Sequence, residues 1–280
     1  MNTKIKNKLH KELIIILDEF DRVCKSNNLK YFLIGGTLLG SVRHNGFIPW
    51  DDDIDVAMPR EDYEKLISIS EDVLGERFFL DHESTNNNYW SPFAKIKLKN
   101  TAYVESNVKK NTDNCCMWID IFPLDYTKNN EQSRLEERKN KIKRVYSILY
   151  NKNAKSLKDF DTFYKKIGYL LLFLIPNKLL FNYRNKIMQE ENGDDCKFYI
   201  NFGSQYSVKK QTHEIAKVLP LRQRVFEKKE YSVPNDCDYV LSNIYGKTFM
   251  ELPPKEKRIT HNPYFIKFSD GEEVRFDEEI

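Results

Sequence analysis

Carboxylates that could hold a metal ion are concentrated in the stretch GFIPWDDDIDVAMPR, residues 46–60. Four of the five positions from Asp51 to Asp55 are aspartate, although the flanking residues are mostly apolar. Side chains of a β-strand alternate between its two faces, so Asp51, Asp53 and Asp55 would point the same way. Carboxylates this close repel one another unless a cation lies among them, and an all-oxygen donor set favours Mg²⁺ or Mn²⁺. The pattern predicts a metal site of the kind used in phosphoryl chemistry.

Two other interpretations of the acidic run are weaker. A solvated turn would not place Asp52, Ile54 and Val56 on the opposite face of the strand, where the apolar side chains predict anchoring in a core. A calcium-binding loop requires glycine at its sixth position and glutamate at its twelfth, where this sequence has Val56 and Asp62. A β-branched residue is poorly suited to the sharp turn, so the calcium-loop interpretation is rejected.

A glycine pair precedes the acidic run in the segment LIGGTLLGSVRH. Gly35 and Gly36 follow a short apolar run typical of a strand, and Thr37 can cap the helix expected after it. Glycine lets the backbone approach a ligand closely, and a helix N-terminus attracts phosphate. Arg43 could bind a phosphate through two hydrogen bonds or lie on the surface. His44 is a secondary candidate that is expected to cap or pack.

A third acid for the metal site is expected from MWIDIFPLDY, residues 117–126. Asp120 lies between two isoleucines in a strand-like segment, where an unpaired buried carboxylate would be costly. It is therefore the candidate for the third metal ligand and for the base that takes the proton of an acceptor hydroxyl. Pro123 is expected to end the strand, so Asp125 beyond it is interpreted as a turn acid.

The elements that must position these residues predict an α+β fold, a mixed β-sheet flanked by helices. Apolar residues at three- and four-residue spacing predict a helix over residues 4–26, and IDVAMP predicts a strand over residues 54–59. We expect residues 1–128 to form the catalytic core. Residues 129–196 would form a basic helical subdomain or insertion, and residues 197–280 an α/β segment that packs on the core in one compact unit.

Composition limits the class of protein. The chain has 280 residues, 40% hydrophobic and 13% aromatic, which is typical of a globular protein rather than a disordered one. A net charge of +3 does not indicate a nucleic-acid-binding protein. The five cysteines are irregularly spaced, which argues against a disulfide framework or a zinc ribbon and favours reduced thiols in the cytoplasm.

The longest apolar run, IGYLLLFLIP over residues 167–176, is too short to span a bilayer. We expect it to form a buried helix. The alternative is a surface that rests on a membrane, for which Lys158, Lys165 and Lys166 would suit anionic headgroups.

The segment LIGGTLLGSVRHNGFIPWDDDIDVAMPREDY closely resembles the LicD family, and so do PFAKIKLKNTAYVE and WIDIFPLDY. YGKTFMELPPKEKRITHNP is similar to that family's C-terminal tail. The family includes phosphocholine transferases of bacterial cell-surface polymers and is distantly related to fukutin-related proteins. It belongs to the polymerase-β-like nucleotidyltransferase superfamily, so the resemblance implies a nucleotidyltransferase-type sheet. The resemblance covers most of the chain and is weakest over residues 130–195.

The resemblance also implies roles for the acids. Asp53 and Asp55 match the family's D-x-D metal pair, and Asp120 matches its third acid. Asp51 is the additional aspartate of the family's W-D-x-D-x-D form, and its role, as base or otherwise, stays open. Trp50, the first residue of that form, is a further candidate for the site.

Basic and aromatic residues are less clearly assigned. Lys95 and Lys97 could reach a donor phosphate, or they could be ordinary solvent-facing lysines of a strand. His261 belongs to the family-like tail and could approach the site or serve the structure. Tyr206 and Tyr245 are expected in the core.

The resemblance implies a metal-dependent transferase that moves a phospho-alcohol group, most simply phosphocholine, from a CDP-activated donor. The acceptor would be a hydroxyl of a cell-surface glycan, such as teichoic acid or lipopolysaccharide, or its lipid-linked precursor. The alternatives are transfer of ribitol phosphate, glycerol phosphate or phosphoethanolamine, and attack on the α-phosphorus of a nucleoside triphosphate. No nucleic-acid partner is expected. The protein would lie in the cytoplasm, with peripheral association at the inner face of the cytoplasmic membrane as an alternative.

Overall fold

The computed structural model describes residues 1–105, 115–193, 195–254, 256, 258, 260 and 263–276. The helices are α1 (Thr3–Ser26), α2 (Gly35–Arg43), α3 (Arg60–Val73), α4 (Gln132–Ala154), α5 (Phe163–Leu172), α6 (Asn177–Met188), α7 (Val208–Gln211), α8 (Ile215–Val218) and α9 (Cys237–Tyr245). The strands are β1 (Phe32–Leu33), β2 (Asp55–Pro59), β3 (Phe78–Asp81), β4 (Ala94–Leu98), β5 (Ala102–Glu105), β6 (Trp118–Thr127), β7 (Phe198–Ile200), β8 (Thr212–Glu214), β9 (Arg222–Phe226), β10 (Lys229–Val233), β11 (Pro263–Lys267) and β12 (Glu273–Arg275).

The largest sheet has the strand order β1-β2-β6-β4-β3, and β7 and β8 extend it from the second half of β6. Strands β2 and β6 run parallel, whereas the other pairings in this sheet are antiparallel. Strands β9 and β10 form a separate hairpin, and β5, β11 and β12 form a small third sheet. Helices α1, α2 and α3 pack against strands of the largest sheet. The predicted mixed sheet flanked by helices is therefore confirmed.

Helix α1 covers part of this sheet with a continuous apolar stripe. The Asn2 side chain caps its N-terminus by accepting a hydrogen bond from the Ile5 N–H at 3.0 Å. The apolar residues at the predicted three- and four-residue spacing are buried, because residues with this spacing share one helix face. The side chains that contact the core are Leu9, Leu13, Ile16, Leu17, Phe20 and Cys24.

Strand β6 continues through Pro123, so the expectation that this proline ends the strand is wrong. The Asp120 N–H donates to the Ile54 carbonyl beside β2, and alternate residues of a strand direct their N–H groups to the same side. The nitrogen of Pro123 therefore faces the other side, where β4 pairs only as far as Ile121 and β7 begins at Asp125. Proline is tolerated there because the sheet loses no hydrogen bond.

Asp125 is consequently a buried residue of β6, and its interpretation as a turn acid is wrong. Arg60, the first residue of α3, donates from Nε and Nη2 to the two carboxylate oxygens at 2.9 and 2.7 Å. Burial raises the pKa of Asp125, and the Arg60 guanidinium opposes that rise. This bidentate pair ties the start of α3 to the central strand of the sheet.

The basic segment after β6 is helical, as predicted, and forms α4, α5 and α6 with a short 3₁₀ turn at Leu157–Asp159. Small apolar clusters join α4 to α6 and to residues near β7. The apolar run over residues 167–176 does not form a buried helix, because most of its large side chains lie in solvent. Within the described ranges, no helix is both long enough and apolar enough to cross a bilayer.

Candidate functional site

The two central parallel strands bring Asp55 and Asp120 side by side. Asp55 opens β2 and is directly opposite Asp120 in the register of β2 and β6. Ile54 and Val56, the neighbours of Asp55 in the chain, are fully buried and fix this end of β2 in the core. The pairing of two distant segments therefore brings together Asp55 and Asp120, which the sequence predicted as separate candidates.

A cleft of about 1090 Å³ opens beside this pair. Asp51 and Asp53 line it together with Asp55 and Asp120. Regular strand geometry begins only at Asp55, so Asp51 and Asp53 precede the hydrogen-bonded strand in which they were expected. Asp52, Asp53 and Asp120 also line a smaller cavity of about 110 Å³.

Glycines at the start of α2 allow the helix to approach these carboxylates. Gly35 has φ +56°, a conformation that favours glycine, and a Cβ there would lie 2.9 Å from Asp55 Oδ2. A Cβ on Gly36 would lie 2.5 Å from Asp51 Oδ2, which is too close for a real contact. The glycine pair thus places the helix N-terminus, with its partial positive charge, against two aspartates that line the cleft.

Thr37 lies within α2 rather than at its cap, so the expectation that it caps the helix is wrong. Helix α2 begins at Gly35, and Ile34 occupies the cap position without a side-chain hydrogen bond. The Thr37 hydroxyl instead accepts a hydrogen bond from the Asp55 N–H at 2.8 Å. Thr37 is buried and holds the backbone at the first residue of β2, so it positions Asp55.

Four carboxylates lie together at the cleft. Burial raises the pKa of Asp55 well above its usual range, and the charges of Asp53, Asp120 and Asp51 raise it further, whereas the Lys95 ammonium lowers it. A cationic ligand among these carboxylates would reduce their mutual repulsion.

Lys95 places an ammonium beside the acid pair. It lies opposite Asp120 in the antiparallel pairing of β4 with β6, and its Nζ is 2.5 Å from Asp120 Oδ1. The ammonium also lies over the Trp118 ring, 4.2 Å from its centroid. Lys97 points elsewhere and forms a buried ion pair with Asp81 at 2.5 Å. The structure therefore brings Lys95, but not Lys97, to the acids of the cleft.

Asp52 lines the smaller cavity with Asp53 and Asp120 but does not line the large cleft. It is buried, and the Tyr103 hydroxyl donates to its Oδ2 at 2.6 Å. Burial and the charge of Asp52 raise the pKa of Tyr103, so this hydroxyl stays protonated and continues to donate. The expectation that Asp52 faces the interior is confirmed.

Arg43 lines the cleft while it binds the C-terminal part of the chain. Its Nη1 donates to the carbonyls of Phe249 and Glu251 at 2.9 and 3.1 Å. Its guanidinium also lies 6.0 Å from the Trp50 ring centroid, and Arg258 lies 4.6 Å from the same ring. Trp50 and Arg43 thus stand at the cleft, and whether Arg43 can exchange a carbonyl for a phosphate stays a prediction.

The two candidate histidines contribute less. His44 ends α2, where its N–H donates to the Gly40 carbonyl at 2.8 Å, in agreement with a capping role. Burial and the nearby Arg43 lower its pKa, which favours the neutral ring. His261 lies outside the described residues.

The sequence did not indicate that aromatic residues line the cleft. Tyr206 and Tyr245 pack against the core, as expected, but they also line the cleft, with ring centroids 6.1 Å apart. Phe93 and Phe122 also line it, with ring centroids 4.4 Å apart. These residues come from four separate segments, so no local pattern could have grouped them.

The donor set fits a hard divalent ion in its chemistry. Asp51, Asp53, Asp55 and Asp120 line one cleft and together provide a set of carboxylate oxygens, the donor type that such ions prefer. Among the residues that the structure describes, no three acidic, histidine or cysteine side chains form a completed ligand cluster. Metal binding therefore stays a prediction, and it would require Asp120 to share its oxygens between Lys95 and the ion.

Comparison with known proteins shows the family and relatives of the chain. A family model described as "LicD/FKTN/FKRP, nucleotidyltransferase domain" matches residues 28–236. The chain is 28% identical over 254 residues to the lipopolysaccharide cholinephosphotransferase LicD of Haemophilus influenzae, covering 88% of this chain and 92% of that protein. It is 41% identical over 59 residues to an uncharacterized protein of Rickettsia prowazekii, covering 21% of this chain and 22% of that protein.

Proposed function

The chain belongs to the LicD/FKTN/FKRP nucleotidyltransferase-domain family and is a LicD-like phosphotransferase. From this premise we propose that it transfers phosphocholine from a CDP-activated donor to a hydroxyl of a cell-surface glycan or its lipid-linked precursor. The observation that carries the proposal is the cleft lined by Asp51, Asp53, Asp55 and Asp120. The cholinephosphotransferase with which the chain shares most of its length supports choline as the alcohol and lipopolysaccharide as the class of acceptor. A nucleotidyltransferase-type arrangement of the sheet is part of the same proposal.

In this proposal, Mg²⁺ or Mn²⁺ would be held by Asp53, Asp55 and Asp120 and would offset the negative charge of the donor diphosphate and the departing CMP. The protein's own contribution is to hold the acids together. Thr37 fixes the backbone of Asp55, and the parallel register places Asp55 beside Asp120. Rigid positioning of this kind lowers the cost of organising charge during the reaction.

The remaining residues would bind the donor and move a proton. The N-terminus of α2 at Gly35 and Gly36 offers N–H groups toward the cleft, and Lys95 offers a positive charge. Asp51 and Asp120 are the two candidates for the base, since each lines the cleft outside the D-x-D pair formed by Asp53 and Asp55. Comparing the pH profiles of turnover in Asp51→Asn and Asp120→Asn would distinguish them.

Aromatic walls of the cleft support choline over a neutral alcohol. A quaternary ammonium is attracted to the faces of aromatic rings and needs no hydrogen-bond donor. Phe93, Phe122, Tyr206 and Tyr245 provide such rings in the cleft that holds the acids. Ribitol or glycerol would instead require several hydrogen-bonding partners for their hydroxyls.

We also propose that the reaction takes place in the cytoplasm, where nucleotide-activated donors are made. None of the five cysteines, all of which lie within the described ranges, forms a disulfide, which is compatible with a reducing compartment.

The test is product analysis with purified full-length protein, Mg²⁺ and CDP-choline, in the presence of a lipopolysaccharide acceptor. We expect release of CMP and appearance of phosphocholine on the acceptor. CDP-ethanolamine, CDP-ribitol and CTP serve as competing donors in parallel reactions. Release of pyrophosphate from CTP, with CDP-choline left intact, would overturn the proposal in favour of nucleotidyl transfer. Turnover of CDP-ribitol alone would overturn the choice of choline.

A matched pair of variants controls for folding. Asp53→Asn removes a carboxylate from the cleft, whereas Asp52→Asn alters the neighbouring acid that is bound by Tyr103. We expect Asp53→Asn to lose at least about 10²-fold in kcat, the usual size of a lost electrostatic group at a reacting centre. Asp52→Asn should keep its turnover and lose about 1 kcal/mol in unfolding free energy, the usual value of one hydrogen bond. Equal loss of turnover in both variants would contradict the assignment.

A further inference from the structure

Helix α5 and the turn after it present large apolar side chains to solvent. Phe163, Tyr164, Leu170, Leu171, Phe173 and Leu174 are each between 53% and 84% exposed, and we call this set the apolar ridge. Within α5 the exposed positions follow helical spacing, so they form one stripe rather than scattered contacts. On the opposite side, Tyr169 is buried and its hydroxyl donates to the Lys155 carbonyl at 2.7 Å, which fixes the helix with the ridge outward.

The ridge gathers six large apolar side chains that are each more than half exposed. Isolated apolar residues on a surface are normal, whereas a group of them on one surface marks a surface that something covers. Leu179, in the first turn of α6, is also 60% exposed. Leu180 and Phe181, which follow it in α6, are buried against α4.

Positive charge surrounds the ridge. Residues 155–179 contain five lysines and two aspartates. The two aspartates are engaged locally: Asp159 accepts from Ser156, and Asp161 pairs with Lys165 at 2.8 Å. Lys158, Lys166 and Lys178 are exposed beside the apolar side chains. An apolar stripe flanked by lysines has the chemistry that binds an anionic lipid surface.

We propose that the apolar ridge inserts into the interfacial region of an anionic lipid bilayer, with α5 lying along the surface. A helix of 10 residues is about 15 Å long, half the thickness of a hydrocarbon core, so it can lie in the interface but cannot cross it. The ridge side chains would enter the acyl boundary while the flanking lysines contact lipid phosphates. Phe163 and Tyr164 supply the aromatic side chains that favour this depth.

A second copy of the chain is a less suitable partner for this surface. A two-fold contact would place the same patch on both subunits, so the lysines around the ridge would face their own counterparts. Repulsion between these lysines would oppose the association, whereas lipid phosphates would neutralise them. The observed charge therefore favours the bilayer.

This inference is independent of the proposed transfer reaction, because lipid binding can be measured without donor or acceptor. If both hold, the enzyme would work beside a lipid-anchored glycan, and binding to the bilayer would raise the local concentration of that acceptor.

The experiment is co-sedimentation of the full-length protein with vesicles of phosphatidylcholine alone and with vesicles that also contain phosphatidylglycerol. We expect pelleting with the anionic vesicles, little with the neutral ones, and weakening as salt is added, because screening reduces the lysine contribution. The variant Leu171→Gln/Leu174→Gln keeps every charge and should lose pelleting by about tenfold or more, since two apolar side chains no longer enter the interface. Lys158→Gln/Lys166→Gln should remove the preference for anionic vesicles.

The matched control is Val225→Gln, a change on an exposed apolar residue of β9 that is 40% exposed and lies outside the ridge. It should pellet like the wild type. Circular dichroism melting of each variant separates a loss of lipid binding from a loss of fold.

Three results would overturn the proposal. The first is no pelleting with anionic vesicles at low salt. The second is equal pelleting of the wild type and the folded Leu171→Gln/Leu174→Gln variant. The third is a dimer, measured by light scattering, that this variant converts to a monomer, which would make the ridge an interface between two copies.

Discussion

Strand β6 contains two aspartates with opposite environments. Asp120, in its first half, lines the cleft, and Asp125, in its second half, is fully buried. Each is contacted by one cation, Lys95 at 2.5 Å and Arg60 at 2.7 Å. Arg60 donates a hydrogen bond to each carboxylate oxygen of Asp125, which forms a bidentate ion pair. Lys95 contacts one oxygen of Asp120, Oδ1, and its charge also lowers the pKa of Asp55.

The difference separates an acid that holds the structure from an acid that is available to a ligand. A bidentate guanidinium satisfies a carboxylate and leaves it little capacity for another cation. Asp120 instead shares the lining of an open cleft with three further acids, Asp51, Asp53 and Asp55. The grouping of acids at an opening to solvent, rather than burial of an acid by itself, distinguishes the candidate site.

The largest expected effect is on turnover in Asp55→Asn. This change removes a carboxylate that neighbouring acids repel, so kcat should fall by about 10³-fold, the upper range for a lost electrostatic group. The unfolding free energy should stay the same or increase, because a neutral side chain relieves the repulsion that raises the pKa of Asp55. Turnover assays and thermal melts check the two parts, and a variant that loses stability but keeps turnover would reverse the comparison.

Asp125→Asn should give the opposite result. Removing one partner of a buried ion pair leaves the Arg60 charge uncompensated and should cost about 3 kcal/mol in unfolding free energy. The protein that remains folded should keep its kcat, measured at low temperature. The double variant Arg60→Met/Asp125→Leu is the control, because it removes both charges and should recover most of the stability in a urea titration. A fall in kcat with unchanged stability would place Asp125 in the site.

Gly36→Ala tests the close approach of α2 to the cleft. Its Cβ would lie 2.5 Å from Asp51 Oδ2, so that carboxylate must move, and kcat should fall by about 10²-fold. Gly168→Ala is the matched control, because its Cβ would meet nothing within 4 Å and it lies in helix α5. That variant should keep its kcat and gain about 0.5 kcal/mol or more in stability. Equal kcat in both alanine variants would show that the cleft tolerates a displaced Asp51.

The smallest expected effect is on the pH dependence of stability, through the buried side chain of His213. Burial lowers the pKa of His213 to about 4. The unfolded chain therefore binds the proton first, so the stability contributed by neutral His213 is present above pH 6.5 and is lost as pH falls toward 4. At pH 5 the wild type should lose about 2 kcal/mol relative to neutral pH. The variant His213→Gln should lack this part of the loss in urea titrations at both pH values, and an identical loss would contradict it.

The spacing of apolar residues in the sequence was sufficient to predict which side chains of α1 and at the start of β2 are buried. The stripe of α1 and the pair Ile54 and Val56 are buried as predicted, because apolar spacing alone dictates which face leaves water. This spacing was insufficient where the conformation of a residue depends on a neighbouring strand. Pro123 is tolerated in β6 because its nitrogen faces a gap between neighbouring strands, and that gap is set by where β4 ends and β7 begins.

The apolar run over residues 167–176 is a second case in which the sequence alone did not predict the environment of a segment. Its composition predicts burial, yet no other part of the described chain covers the ridge. Burial requires a partner surface as well as an apolar sequence, and α4 and α6 pack mainly on each other. The run shows how an apolar helix can be predicted correctly as a helix and wrongly as core.

The sequence by itself determined the acidic run, the glycine pair and the family to which the chain belongs, because these depend on residues close together in the chain. The tertiary structure decided that Asp55 lies beside Asp120, that Lys95 and not Lys97 reaches the acids, and that Asp125 serves α3. It also gathered the aromatic walls of the cleft from separate segments. Such contacts depend on strand register and on which surfaces meet, and neither is encoded in the spacing of any one segment.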